Sequence, residues 1–382
     1  MEKQKICIIG GGLTGLTTAI TLSKLNCNID LITGVSGQNL KSSRTIAVSE
    51  NNFDFLDKLN ISKSLKNETW TCSNMKLYTE TESEKFSEIF ELNKENKKEN
   101  IFYVLENSKI MKLMINKIKK IKSVSLKKNK RVNSIYTSGA LKHVKFNNNV
   151  LKYNLVIICT GHNSDLIKNL FKDKIIENSY KELAITTILE HGPLKNNIAR
   201  QIFLDYAIFA LLPVSETKTS VVWTIKKSMR KKNNFSLKNK IKLYASNYLK
   251  NIKFNSNIES KDLSLLIRSK YYLERTLLFG DALHLMHPFV GQSFNMTIRD
   301  LICLEKILSE KINLGLDIGS LDVLSEFSNE AKPRNFTFSI GSDLLKNALL
   351  FKKTRNDIFQ ILNKSNFAKD IVFDVANKGF RF

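Results

Sequence analysis

The sequence is short of cysteine and of long apolar runs, and each shortage excludes a class of protein. Its five cysteines form no C-x-x-C pair, which argues against a disulfide framework or a zinc knuckle and suits a reducing compartment. No apolar run approaches the roughly 18 residues that a membrane-spanning helix needs. The N-terminal residues include no cleavage site of small residues. We therefore expect a cytoplasmic protein that is not exported.

Acidic residues are also scarce relative to basic ones. The 60 Lys and Arg residues outnumber the 36 Asp and Glu residues, so the formal net charge is +24. Such a balance attracts nucleic acid or an anionic membrane surface. Because neither a recognised nucleic-acid module nor interleaved aromatic and basic residues accompany the charge, we expect no nucleic acid as a partner. A compositional drift toward Lys and Asn, and a peripheral contact with the inner face of a membrane, both stay open.

The first elements that the hydrophobic pattern predicts have the order typical of a nucleotide-binding domain. Residues 5–10, 13–25 and 28–33 read as strand, helix and strand. We predict a further helix over 47–59 and an unbroken strand, buried on both faces, over 151–161. A helix over 237–251 interrupts a stretch that alternates with the period of two typical of sheet strands. From Thr297 onward the pattern is helical.

The composition suits two domains, since 42% of the residues are hydrophobic and 25% are charged in a chain of 382 residues. The pattern predicts that the first domain is split in sequence by a sheet-rich second one. The predicted divisions are a βαβ-type domain of residues 1–69, 98–177 and 274–345, a sheet-rich domain of residues 70–97 and 178–273, and a C-terminal helical segment of residues 346–382.

A glycine motif follows the first predicted strand. Gly10, Gly12 and Gly15 have the G-x-G-x-x-G spacing and open a helix. In this pattern the first glycine permits the turn, the second lets a pyrophosphate approach the backbone, and the third lets the helix pack closely on the strand. The motif predicts a dinucleotide site. Thr33 stands at the end of the second strand, where a ribose-binding Asp or Glu is usual, so this position leaves the choice of nucleotide open.

A second motif lies late in the chain, in the stretch GDALHLMHPFVGQSFNMTIRD of residues 280–300. Its two histidines, His284 and His287, lack the Cys or carboxylate partners of a metal site, so we predict no metal. The GQSFN segment ends in Asn295 where a nucleophile elbow has Gly, which disfavours a hydrolase. The stretch resembles the cofactor loop of flavin-dependent aromatic hydroxylases of the p-hydroxybenzoate-hydroxylase type, and most closely the ubiquinone-biosynthesis hydroxylases. The matching residues are Gly280, Asp281, Ala282, His284, His287, Pro288, Gly291, Gln292, Asn295, Arg299 and Asp300.

Other segments are similar to the same family. Arg44 and Ser49 match the segment D-x-R-x-x-A-L-S, and Asn107 matches Y-V-V-E-N-x-x-L. Gly161 and Ser164 match V-x-A-D-G-x-x-S, but Thr160 replaces the Asp. The resemblance implies the following cofactor-binding residues: Gly10, Gly12, Leu13, Thr14, Gly15, Thr33, Arg44, Asn107, Gly161, Gly280, Asp281, Pro288, Gly291, Gln292, Ser293 and Asn295. A sheet segment similar to the family's supplies candidate substrate-binding residues, which are Phe203, Ala210, Leu212, Pro213 and Trp223.

The resemblance also implies a fold and an activity. The fold is α/β, with a split FAD-binding Rossmann-like domain of the glutathione-reductase type, an inserted, mostly antiparallel substrate sheet and a C-terminal helical tail. The activity is FAD-dependent hydroxylation, through a flavin hydroperoxide, of the ring of a polyprenylated phenol in ubiquinone synthesis. Its co-substrates are O2 and NAD(P)H or a protein electron donor, and other quinone-biosynthesis proteins are expected partners. His284 and His287 are candidates for proton transfer, with packing an equal alternative.

Two other functions stay open at this point. One is an FAD-linked oxidoreductase of the same fold that inserts no oxygen. The other is a weakly active or non-catalytic flavoprotein subunit of a quinone-synthesis assembly, which Thr33 and Thr160 suggest because each stands where the family has a carboxylate.

Overall fold

The computed structural model of the chain describes residues 3–34, 42–59, 68–81, 85–93, 99–147, 149–172, 175–205, 207–230, 236–288 and 291–378. Its strands, in chain order, are β1 Gln4–Ile9, β2 Cys27–Ile32, β3 Thr45–Ser49, β4 Thr69–Cys72, β5 Asn74–Glu80, β6 Phe86–Asn93, β7 Phe102–Glu106, β8 Val124–Lys127, β9 Val132–Ser138, β10 Leu141–Phe146, β11 Asn149–Tyr153, β12 Leu155–Ile158, β13 Ile175–Glu190, β14 Ile198–Leu204, β15 Ala207–Ser215, β16 Lys218–Lys226, β17 Lys253–Phe254, β18 Glu259–Arg268, β19 Tyr272–Leu273, β20 Thr276–Leu278 and β21 His284–Leu285. The helices are α1 Leu13–Leu22, α2 Glu50–Lys58, α3 Asn107–Ile118, α4 Asp165–Leu170, α5 Lys227–Arg230, α6 Leu237–Ala245, α7 Ser293–Asn313, α8 Leu321–Leu350, α9 Lys352–Asn363 and α10 Asn366–Lys378, with a short 3-10 helix over Gly280–Ala282.

The first sheet is the nucleotide-binding one that the sequence predicts. Its strand order is β19-β20-β12-β1-β2-β8, and every neighbouring pair is parallel except the edge pair β19 and β20. The register sets Ile8 beside Leu31 and Ile157. These strands are buried on both faces, as the apolar runs of a parallel sheet require. The late strand β20 therefore joins the early strand β1 in one sheet, and the α/β fold class is confirmed.

The second large sheet is mostly antiparallel, also as predicted. Its order is β21-β18-β13-β16-β15-β14-β5-β6, with β17 paired to β13, and the single parallel pair is β14 with β5. Two small antiparallel sheets, β3-β7-β4 and β9-β10-β11, complete the strands. The helices α8, α9 and α10 follow at the C-terminal end, which confirms the predicted helical tail.

One expected single strand is divided between two sheets. The run over 151–161 was expected to form one strand, but β11 ends at Tyr153 and belongs to a small sheet, whereas β12 begins at Leu155 in the parallel sheet. Asn154 lies at the change of sheet, where its Oδ1 accepts from the backbone N of Lys5 at 2.9 Å. A second change of sheet occurs at Ser73, between β4 and β5. Alternation along a chain cannot show such a change, because both halves keep their own period of two.

Three helix bounds were also wrong. The helix expected over 47–59 begins at Glu50, because Ala47 belongs to β3 and pairs with Val104. The helix expected over 237–251 ends at Ala245, and the one expected over 13–25 ends at Leu22. Helix termini fray into turns that keep part of the helical apolar spacing, so periodicity extends past the last true turn. Within the described residues, none of the helices combines the length and the apolar composition needed to cross a bilayer.

The C-terminal helices cover one face of the large sheet. Leu349 of α8 and Phe359 of α9 are buried in one cluster with Phe90 of β6 and Phe203 of β14. Phe359 lies 5.2 Å, ring centre to ring centre, from Phe90. This packing places the helical tail against the sheet-rich part of the chain. The predicted residue divisions between domains stay a prediction.

Candidate functional site

The turn after β1 has the geometry that its glycines predict. Gly10 has φ +134°, and a Cβ there would lie 2.4 Å from the carbonyl oxygen of Cys159. A Cβ on Gly15 would lie 2.0 Å from the carbonyl oxygen of Gly10, so the start of α1 packs directly on the turn. Gly12 has nothing within 4 Å of its Cβ position. The turn is therefore tight on its inner side and open at Gly12, where a pyrophosphate can approach the helix N-terminus.

The late motif meets this turn directly. Gly280 has φ +63°, and a Cβ there would lie 2.6 Å from Cγ2 of Thr14. The 3-10 helix that starts at Gly280 turns Asp281 toward the same space. Two segments at opposite ends of the sequence thus form one site, and only glycine at position 280 leaves room for Thr14.

One cavity of about 1140 Å³ adjoins both segments. Thirteen of the predicted cofactor residues line it, and they are Gly10, Gly12, Leu13, Thr14, Arg44, Asn107, Gly161, Asp281, Pro288, Gly291, Gln292, Ser293 and Asn295. The other three, Gly15, Thr33 and Gly280, do not line the cavity. Thr33 is 4% exposed at the end of β2, and a Cβ on Gly11 would lie 2.9 Å from its Cβ.

Two buried acceptors on the cavity wall fit a polar ligand. Oδ1 of Asn107 and Oε1 of Gln292 are buried and accept no hydrogen bond from the described residues. A buried acceptor without a donor is costly, so a ligand or water with donors is expected there. FAD carries hydroxyl and N–H donors, and the open face at Gly12 accommodates its pyrophosphate. The residues present therefore fit FAD.

Asn295 connects the start of α7 to the early part of the chain. Its Nδ2 donates to the carbonyl oxygen of Ala47 at 2.9 Å, and its Oδ1 accepts from the backbone N of Ser49 at 3.0 Å and from Nδ2 of Asn52 at 2.9 Å. Its polar atoms are thus engaged within the protein. Asn295 lines the cavity, but the structure gives it a role in holding α7, whose N-terminus carries a partial positive charge toward the cavity.

Arg44 lies at the rim of the cavity. Its Nε donates to Oγ of Ser42 at 3.1 Å and lies 3.9 Å from a carboxylate oxygen of Glu259. The same Glu259 accepts from Oγ of Ser42 at 3.1 Å and from the backbone N of Ser43. These contacts lower the pKa of Glu259 despite the opposing effect of its burial. The rim therefore joins the segment before β3 to the first residue of β18.

The far end of the cavity is apolar and extends under the C-terminal helices. Residues of β5, β6, α8 and α9 line it, and these are Met75, Leu77, Phe90, Leu92, Leu345, Leu349, Ile358, Phe359 and Leu362. No sequence motif marks these helical residues, since an apolar helix face does not show which sheet it covers. Gln201 and Lys261 also line the cavity, and no motif contains them. His162 lines it too, directly after the predicted Gly161, and its burial lowers its pKa, aided by the charge of Lys261.

The five candidate substrate-binding residues do not all reach the cavity, because successive side chains of a strand point to opposite faces of the sheet. Ala210 and Leu212 face the cavity from one side of β15, whereas Pro213, the residue after Leu212, is buried and does not line it. Phe203 is fully buried among the C-terminal helices. Trp223 is 1% exposed and packs on the opposite face of the sheet, 5.9 Å from the ring of Phe209. The structure therefore places only Ala210 and Leu212 of this set at the cavity.

The two histidines do not line the cavity. Nε2 of His284 contacts Oδ2 of Asp300 at 3.2 Å, and both side chains are buried. Asp300 also accepts from Arg334 at 3.1 Å and from Asn335 at 2.8 Å. His287 contacts Glu182 at 2.9 Å. Within the described ranges, no three His, Cys, Asp or Glu side chains come together as a metal site.

Comparison with known proteins agrees with this geometry. Residues 3–334 match the family described as FAD binding domain, so the chain belongs to that family and FAD is its cofactor. It is 22% identical to the mitochondrial ubiquinone biosynthesis monooxygenase COQ6 of Dictyostelium discoideum, covering 97% of this chain and 90% of the relative. The COQ6 of Caenorhabditis elegans is 26% identical, over 88% of this chain and 86% of its own. The ubiquinone hydroxylase UbiL of Rhodospirillum rubrum is 22% identical, over 89% and 80%.

Solved structures share the fold. PqsL of P. aeruginosa, in complex with 2-aminobenzoylacetate, superposes with a TM-score of 0.79 at 15% identity, covering 94% of this chain and all of the other. The p-nitrophenol 4-monooxygenase PnpA of Pseudomonas putida gives 0.73 at 16% identity, with both chains fully covered. At such identities the likeness establishes the fold alone.

Proposed function

We propose that the protein is an FAD-dependent monooxygenase that hydroxylates the aromatic ring of a polyprenylated phenol in ubiquinone biosynthesis. The observation that carries the proposal is a continuous cavity, which joins a glycine-rich dinucleotide turn to an apolar compartment under the C-terminal helices. The names of the similar proteins, ubiquinone biosynthesis monooxygenase and ubiquinone hydroxylase, support the substrate class.

The polar end of the cavity is the proposed FAD site. The N-terminus of α1 and the open face at Gly12 would hold the pyrophosphate, and the carboxylate of Asp281, which lines the cavity, would accept a hydrogen bond from a hydroxyl of FAD. Gly291 and Gln292, which line the cavity directly before α7, would contact the ring system, and the N-terminus of α7 would stabilise negative charge on it. Once bound, FAD supplies the redox chemistry by which one atom of O2 enters the substrate ring.

The apolar end of the cavity is the proposed site of the prenyl tail. Its wall consists of side chains such as Leu77, Leu349 and Phe359, which cannot hydrogen-bond water. Burial of apolar ligand surface against this wall is favourable by about 25 cal/mol for each Å² removed from water. The same wall keeps water from the reacting ring. No side chain is assigned as an acid or base, because His284 and His287 do not line the cavity.

A membrane surface is the proposed source of so apolar a substrate. Phe351, Ile361 and Phe367 are 63%, 68% and 75% exposed on the segment that carries α9 and α10. Apart from the buried Arg355, the charged residues of 347–378 are five Lys against three Asp, so an anionic lipid surface complements their charge. Other residues of the same helices line the cavity, which places its apolar end next to this surface.

Vesicle sedimentation tests the membrane contact. We expect the protein to sediment with vesicles containing phosphatidylglycerol and to be released by salt, because the attraction of the lysines is screened. Phe367→Ser is expected to weaken binding, whereas Leu314→Ser, which changes a side chain 71% exposed outside these helices, is the matched control. Equal loss in the two variants contradicts the proposed surface.

Turnover tests the activity. The FAD-loaded protein, with NAD(P)H and a prenylated phenol, is expected to give a product heavier by one oxygen atom. Complementation of strains that each lack one quinone hydroxylase identifies the ring position through the lipid that ceases to accumulate. Leu349→Trp, inside the cavity, is expected to reduce turnover of long-tailed substrates without loss of FAD, and Leu344→Trp, 64% exposed on the same helix, to leave it unchanged. Binding of FAD without consumption of reductant contradicts the proposal.

A further inference from the structure

A cluster of ionisable side chains is buried behind the cavity wall. Nε2 of His287 donates to Oε2 of Glu182 at 2.9 Å, and Nζ of Lys346 lies 3.7 Å from the other oxygen of the same carboxylate. Lys346 also lies 3.9 Å from the ring centre of Tyr180, whose hydroxyl donates to Asp343 at 2.6 Å. His287, Glu182 and Lys346 are each less than 9% exposed. Charges buried this far from water are costly unless they are paired, so the arrangement is specific.

A bulge in β13 builds the cluster. The pairing with β18 jumps from Ser179 opposite Ser264 to Glu182 opposite Leu263, and Lys181 between them has φ +54°. A bulge bends a strand and changes the direction of its side chains. Tyr180 and Glu182, on either side of Lys181, both reach groups outside the sheet.

The surroundings of Glu182 and His287 favour a charged carboxylate beside a neutral imidazole. Burial raises the pKa of Glu182, but the hydrogen bond from His287 and the charge of Lys346 outweigh it and hold the pKa below its ordinary value. Burial lowers the pKa of His287, and Lys346 lowers it further, although Glu182 and Asp343 act in the opposite direction. The imidazole is therefore neutral and donates through Nε2, while its buried Nδ1 has no partner among the described residues.

Residues next to His287 and next to Lys346 line the cavity. Met286 and Pro288, on either side of His287, line the cavity at its polar end. Leu345, next to Lys346, and Leu349, one turn later, line its apolar end. Glu182 contacts both His287 and Lys346 from the sheet behind. The loop before α7 and the second half of α8 are thus joined by one carboxylate.

We propose that His287 is a positioning residue that, through Glu182 and Lys346, fixes the cofactor loop at Pro288 against the wall that α8 provides. Only the consequence of this link for turnover rests on the proposed function. Loosening the wall admits water to the reaction site, so two electrons from the reductant and two protons convert O2 to hydrogen peroxide and the substrate ring is left unchanged.

Amide hydrogen exchange on the FAD-loaded protein tests the link without any turnover. In His287→Ala, the amides of residues 338–349 of α8 and 285–287 of the loop are expected to exchange about 10- to 100-fold faster, the effect of losing a hydrogen bond to a charged group. In His287→Gln, whose side-chain N–H can replace Nε2, protection is expected to return. Lys346→Met tests the link from the helix and is expected to loosen the loop as well.

His191 provides the matched control. It is 4% exposed, its Nε2 contacts Oγ1 of Thr219 at 2.8 Å, and neither residue lines the cavity. His191→Ala is expected to lower the melting temperature without changing exchange in α8. The inference is overturned if His191→Ala and His287→Ala give the same exchange pattern, or if Lys346→Met leaves the loop protected.

The share of reductant converted to hydrogen peroxide tests the consequence. It is expected to rise in His287→Ala, to return in His287→Gln and to stay unchanged in His191→Ala. An unchanged share in His287→Ala overturns the inference. If the wild-type protein gives no hydroxylated product while the exchange results are as expected, the proposed function fails and the link between loop and helix stands.

Discussion

Replacement of Gly280 by Ala tests whether the two halves of the site meet as described. The left-handed backbone at Gly280, φ +63°, costs an L-residue about 1–2 kcal/mol. The new Cβ would also lie 2.6 Å from Cγ2 and 2.8 Å from Oγ1 of Thr14. Overpacking of this kind costs about 1–3 kcal/mol. The expected loss in the free energy of unfolding is therefore about 2–5 kcal/mol.

Two further variants separate these contributions. Gly139→Ala has the same backbone cost, since φ is +60°, but nothing lies within 4 Å of its Cβ. It is expected to lose only about 1–2 kcal/mol. In the double variant Gly280→Ala with Thr14→Ala, the atoms nearest to the new Cβ are gone. Its loss relative to Thr14→Ala alone is expected to fall to that of Gly139→Ala.

Urea denaturation followed by tryptophan fluorescence measures these losses, and flavin fluorescence reports FAD release in the same samples. We expect Gly280→Ala to release FAD at a lower urea concentration than Gly139→Ala does. Equal losses for Gly280→Ala and Gly139→Ala, or no recovery when Thr14 is shortened, refute the close contact between the two segments.

Three further predictions concern the site and the buried cluster behind it. Gly15→Ala would place a Cβ 2.0 Å from a backbone oxygen that cannot move aside, so the purified variant is expected to contain no flavin by absorbance, and retention of FAD contradicts the packing of α1 on the turn. Asp281→Asn is expected to weaken FAD binding about 10- to 100-fold in a fluorescence titration, as loss of a charged hydrogen-bond acceptor does, whereas Asp262→Asn at the exposed rim is expected to leave it unchanged. Burial lowers the pKa of His287 in the folded protein, so as the pH falls the unfolded chain takes up the imidazole proton before the folded chain does. Stability is therefore expected to fall as the pH drops below about 6.5. The loss due to His287 is expected to be absent from melting curves of His287→Gln.

The sequence predicts the parts of the fold in which local chemistry and tertiary structure agree. Gly10 has φ +134°, and a Cβ on either Gly10 or Gly15 would collide with a backbone oxygen, so the spacing of these glycines indicates the dinucleotide turn. Gly280 carries the same kind of constraint. These glycines can be predicted from the sequence because each belongs to a motif whose spacing has a physical cause.

The rest depends on contacts between distant segments. The change of sheet at Asn154 leaves the apolar run intact, so no period marks it. The wall formed by Leu349 and Phe359 follows from where helices α8 and α9 dock, which their own apolar faces do not specify. His287 was a candidate for proton transfer by its motif, but its partner Glu182 lies on a strand more than a hundred residues earlier. Its direction away from the cavity therefore appears only in three dimensions.

Transfer of labelled oxygen tests the central claim most directly. The FAD-loaded protein, with NAD(P)H or another reductant, is incubated with a prenylated phenol under oxygen-18 gas, and the product is analysed by mass spectrometry. The account predicts a ring hydroxyl that carries one oxygen-18 atom, formed by a protein that holds one FAD per chain. A product without the label, or a purified protein that binds no flavin, contradicts it.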